Sequence, residues 1–70
     1  MRHRDEQMVR AIRLAGGFSE VARSLGRTRQ AVIQWERVPV EHVLHLERLS
    51  GVPRHLLRPD VYPHEPATEA

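Results

Sequence analysis

Apolar residues recur at three- and four-residue steps early in the chain: Met8, Ala11, Ile12 and Ala15, followed by Gly16-Gly17. That period predicts an amphipathic helix from about Arg4 to Ala15, closed by the two glycines. Ser19 is placed to cap a second helix whose Val21, Ala22 and Leu25 face inward, and Gly26 suits the left-handed residue at its end. Thr28 offers a side-chain oxygen as cap of a third helix, about Arg29 to Arg37, and Pro39 prevents its continuation. A fourth, about Val40 to Ser50, carries Val40, Val43, Leu44, Leu46 and Leu49 around more than half its circumference, the mark of a central helix. Gly51 ends it, Pro53 opens a short turn through Leu57, and beyond Pro59 the chain reads "DVYPHEPATEA". Three prolines, Pro59, Pro63 and Pro66, among small and acidic residues predict an extended arm and frayed tail there, and no segment repeats. The expected fold is all-α: a compact bundle of four to five short helices over residues 1–58, followed by a Pro-rich arm and tail over 59–70.

The break at Gly26 has the form of a helix-turn-helix elbow. Two short helices cross at roughly 90–120° only where small residues permit close approach, and Ala22 and Gly26 are small at the needed places. Val21, Leu25, Val32 and Trp35 supply the apolar contacts that would lock the angle. On the third helix Val32 and Trp35 point one way, while Arg29, Gln30, Ile33, Gln34 and Arg37 point broadly the other.

Seventy residues make one domain with a thin core. The chain has no cysteine, which removes disulfides, thiolate metal sites and thiol nucleophiles together. No apolar run approaches the roughly 20 residues of a membrane span, and no signal-peptide pattern follows the N-terminus, so a cytoplasmic protein is expected. All eleven basic residues are arginine, through codon usage or through selection for guanidinium chemistry. Their distribution says more: residues 1–40 carry eight Arg against four acids, and residues 41–70 three Arg against five. The basic half contains the elbow, as expected of a surface that meets a polyanion.

The stretch "FSEVARSLGRTRQAVIQWE" resembles the helix-turn-helix of the Cro and lambda-repressor superfamily, through Val21-Ala22, Leu25-Gly26, Val32 and Trp35-Glu36. The longer run from Ala11 to about Pro63, especially "QWERVP" and "LRPDVYP", is similar to its YdaS-like subgroup, small antitoxins and repressors of bacterial prophage loci. One departure is Arg27, where the superfamily usually places an apolar residue; it is expected to turn outward to phosphate. The resemblance implies a sequence-specific double-stranded-DNA-binding regulator, a Cro-like repressor with its third helix in the major groove. There Arg29 suits guanine, Gln30 and Gln34 suit adenine, and Ile33 is a thymine-methyl contact, an exposed isoleucine without a role, or a side chain packed beneath its neighbours. Ser19, Arg27, Thr28 and Arg37 are the expected phosphate contacts.

Other chemistry is thinner. His42 and His45 share a helix but lack a third ligand, so no metal or other cofactor is expected. No acid–base pair is accompanied by a nucleophile or phosphate loop, so an enzyme is not expected. One unit covers few base pairs, and a homodimer on an inverted repeat is the expected assembly. Leu56, Leu57, Val61 and Tyr62, with part of the fourth helix, are the residues available for the subunit interface; alternatively they close the monomer's own core. If they join subunits, Leu57→Asp with Tyr62→Ala lowers cooperative binding while the monomer stays helical. A second functional class stays open, an antitoxin or adaptor whose C-terminal segment grips a toxin or regulatory protein.

Overall fold

In the computed structural model, which describes residues 5–63, the first described element is a capped helix. The Asp5 carboxylate accepts hydrogen bonds from the Gln7 and Met8 amides at 2.8 and 3.2 Å and so opens α1, Glu6–Leu14, two residues later than the apolar period suggests. α2 spans Phe18–Leu25. Its capping position belongs to Gly17, at φ 105°, and no side chain caps it, so Ser19 is an exposed residue of the first turn rather than the N-cap.

α2 ends as the sequence suggests, at Gly26 with φ 70°. An L side chain there would meet its own backbone, which costs about 1–2 kcal/mol. The Arg27 amide then reaches back to the Ala22 carbonyl at 2.9 Å, closing the α2 C-terminus. Thr28 accepts from the Ala31 amide at 3.2 Å and opens α3, Arg29–Ile33.

α3 is four residues shorter than the expected 29–37. The chain leaves the helix after Ile33 because two residues beyond it have destinations elsewhere. Trp35 stacks on His42 with ring centroids 5.6 Å apart, and Val38 enters the core with no exposed surface. The expected single helix over 40–50 is likewise divided. Pro39, in extended conformation, leads into a 3₁₀ turn, Val40–His42, and α4 proper is Val43–Ser50. Only Val43 and Leu46 of its apolar residues are buried, so α4 lines the core with one face instead of lying at its centre. Pro53 precedes α5, Arg54–Leu57, whose first amide donates to the Glu47 carboxylate at 3.0 Å.

These elements make an all-helical bundle in which α2 packs on α3 and α1 on α4. The core draws one to three side chains from each helix: Met8, Ala11 and Ile12; Val21 and Ala22; Val32; Val43 and Leu46; Leu57; with Val38 and Val52 from the connections. Within the arm expected over 59–70, residues 59–62 make a turn, in which the Val61 and Tyr62 amides donate to the Arg58 carbonyl at 3.0 and 2.8 Å. Residues 64–70 lie outside the described residues. No helix among those described is long and apolar enough to cross a membrane.

Leu57 is fully buried and closes the core, one of the two alternatives open for it. Leu57→Asp therefore buries a carboxylate and is not a clean probe of any subunit interface, contrary to the expectation that the double variant stays helical. Leu57→Ala should cost about 2–5 kcal/mol, of the order of the whole stability of so small a domain. Leu14→Ala, at a residue 56% exposed, should cost less than about 0.5 kcal/mol. Thermal melts followed by far-UV circular dichroism check both; a Leu57→Ala midpoint within a few degrees of wild type would place Leu57 outside the core.

Candidate nucleic-acid interface

The elbow at Gly26 decides which way α3 faces. Val32 points into the core with no exposed surface. At about 100° per residue, Gln30 and Gln34 then lie nearly opposite it, about 40° apart, at the crest of the outward face. Both are exposed, as are Arg29 and Ala31 beside them. The sequence reading passed over Ala31, a small exposed residue about 60° round the helix from Gln34. Ile33 is half-buried at the edge of this face.

Around that crest the candidate phosphate ligands differ in what holds them. Arg27, following the turn glycine, is exposed as its polar character suggests, and neither it nor Arg29 makes an ion pair or side-chain hydrogen bond among the described residues. The contrast with other arginines is informative. Arg23 pairs with Glu20 at 2.6 Å, Arg54 with Glu47 at 3.4 Å and Arg58 with Asp60 at 2.7 Å. Arg37, exposed beyond the end of α3, also has a partner, Asp60 at 3.7 Å. The Thr28 hydroxyl is engaged as the α3 cap, and Ser19 is exposed on the first turn of α2.

Asp60 and Arg58 form a joint that sequence reasoning missed. The Arg58 guanidinium grips both Asp60 oxygens, at 3.0 and 2.7 Å, and its remaining NH group donates to the Val38 carbonyl at 2.9 Å. The C-terminal turn is thereby fastened to the segment that follows α3. The bidentate hydrogen bond from Arg58 lowers the Asp60 carboxyl to about 2, and the same bond raises the Arg58 guanidinium above its ordinary value. The only local hint was "RPD", a proline that bends the chain between an arginine and an aspartate.

The remaining candidates are dispersed. Leu56 and Tyr62 are partly buried and pack against the core, with the Arg54 guanidinium 5.6 Å from the Tyr62 ring centre, while Val61 is exposed. His42 lies on Trp35 and 3.5 Å from Glu41, and His45 Nε2 is 2.6 Å from the Ser24 hydroxyl. Among the described residues no three His or acidic side chains are grouped to hold a metal ion.

Residues 8–66 match the family described as "bacterial toxin YdaS", and the chain belongs to that family. No curated protein and no solved structure matches it.

The Asp60 joint carries a pH signature. Its folded carboxyl titrates near 2 against an ordinary 3.8, so its contribution is present in full above about pH 4 and is lost as pH falls toward 2. Asp60→Asn should melt below wild type at pH 7, and the gap should close between about pH 4 and 2. Melting curves of both chains at pH 7, 4 and 2 check this; a gap constant across that range would refute it.

Proposed function

We propose that this YdaS-family chain is a sequence-specific double-stranded-DNA-binding regulator of the Cro-like helix-turn-helix kind, acting as a repressor with α3 in the major groove. One observation carries the reading. Gln30 and Gln34 stand at the crest of α3, flanked by Arg27 and Arg29, whose guanidinium groups, like those of Arg10, Arg13 and Arg48, make no ion pair among the described residues. Unpaired guanidinium groups beside amide side chains are what phosphate and base edges require, and an α-helix fits the major groove.

The roles follow from position. Gln30 and Gln34 present amides that bond adenine N6 and N7 in bidentate fashion, and Arg29 at the start of α3 reaches guanine O6 and N7. Half-buried Ile33 borders the groove and is left, at most, a thymine methyl. Arg27, Thr28 and Ser19 lie toward the backbone, joined by Arg37, for which a phosphate would compete with Asp60. Two copies on an inverted repeat would place their α3 helices about 34 Å apart.

The family's description as a toxin favours one alternative, that the chain acts by gripping a protein, as toxin or antitoxin. Salt separates the two. Binding through several phosphates weakens steeply as salt rises, and an apolar protein contact does not.

Selection of bound sequences from a random duplex library tests the reading. Wild type should enrich a short inverted repeat, Gln34→Ala should relax one position of each half-site by about 1–3 kcal/mol, and Arg27→Ala should weaken all sequences alike, reducing the salt slope by about 1. Failure to enrich any sequence at moderate salt would discard base readout.

A further inference from the structure

The Asp60 carboxylate is shared unequally between two arginines. Arg58 holds both of its oxygens, at 3.0 and 2.7 Å, and donates also to the Val38 carbonyl at 2.9 Å, with its side chain only 11% exposed. Arg37 approaches one oxygen at 3.7 Å, beyond hydrogen-bond length, and its side chain is 56% exposed. The Asp60 carboxyl is lowered first by the hydrogen bond from Arg58 and in smaller part by the charge of Arg37, the same asymmetry. The contact with Arg58 is a fixture, and the contact with Arg37 can be given up without disturbing it.

Val38 directly follows Arg37, so the arginine that positions Asp60 is itself tied to the segment that carries Arg37. Asp60 is thereby held beside Arg37 whether or not that guanidinium is engaged elsewhere. A carboxylate in this place offers a guanidinium what a phosphate offers, negative charge on oxygen. When Arg37 leaves, Asp60 keeps Arg58, so its release strands no charge. Arg27 and Arg29 face no such acid among the described residues.

We infer that Asp60 is an internal competitor for the phosphate that Arg37 would bind: it occupies this guanidinium in the free chain and yields it on the duplex, restraining affinity. This rests on the DNA reading and adds to it a regulation of the same site. Because a phosphate contact carries no sequence information, the restraint applies to every duplex alike. Exposed ion pairs are weak, so it amounts to about two- to fivefold in affinity.

A double-variant cycle tests it, with the full chain binding a short duplex of arbitrary sequence at about 50 mM salt, below the melting midpoint of every variant. Asp60→Asn should bind about two- to fivefold tighter than wild type. In an Arg37→Ala background the same change should gain clearly less, the remainder being the general effect of removing one negative charge. A purely structural Asp60 predicts the reverse, weaker binding in both backgrounds. If Asp60→Asn loses its helical signal, NMR of the Asp60 carboxyl carbon decides: adding duplex should shift it in wild type and far less in Arg37→Ala. Unchanged or weakened binding by a folded Asp60→Asn, equal gains in the two backgrounds, or equal carboxyl shifts would each overturn the proposal. None of these bears on base readout, which falls separately if the chain binds duplexes but enriches no sequence. Absence of binding by every chain, Asp60→Asn included, would overturn both.

Discussion

Burial of one small set of apolar side chains is the constraint on which everything else here depends. Among the described residues the longest α-helix has nine residues and the shortest four, and an isolated helix below about 12–15 residues is marginal in water. None of these helices persists for its own sake. Each exists because its inward residues close a core shared with the others, and removing any contributor exposes the partners of all the rest. α3 is the extreme case. Five residues long, it is held by a single buried side chain, Val32, by the Thr28 cap and by the left-handed turn at Gly26.

A core this thin leaves connections to be fixed by polar joints, and these joints sit where the chain changes direction. Glu47 caps α5 while pairing with Arg54, the Ser50 hydroxyl spans the end of α4 by donating to the Leu46 carbonyl and accepting from the Val52 amide, and Asp5 donates its amide to the Glu36 carbonyl. The most consequential is Arg58, because the carbonyl it holds belongs to Val38, the residue whose descent into the core ends the excursion after α3. The C-terminal turn thus helps to decide how α3 is presented, although it is distant from α3 in sequence.

Local signals were legible and distant ones were not. Gly26, Thr28, Gly51 and Pro53 act where they stand, through a positive φ, a side-chain acceptor or a fixed φ, and each marks the element boundary that the sequence suggests. Ser19 misled because a cap is chosen in competition: Gly17 brings the chain into α2 two residues earlier. The ends of α3 and α4 were illegible because they are set by Trp35 meeting His42 and by the burial of Val38, contacts between segments rather than within them. Val38 and Val52 sit alone in connecting segments, so no period announces them as core. The outward face of α3 could be read from helical spacing alone. That Arg37 shares Asp60 with Arg58 could not.

The division of labour within α3 has an evolutionary consequence. Its anchoring is concentrated in Val32 and Thr28, while Arg29, Gln30, Ala31 and Gln34 contribute nothing to the core. Arg29, Gln30 and Ala31 can therefore change over many generations with little cost in folding, so chains that share this scaffold can diverge in the surface α3 presents while remaining equally well folded.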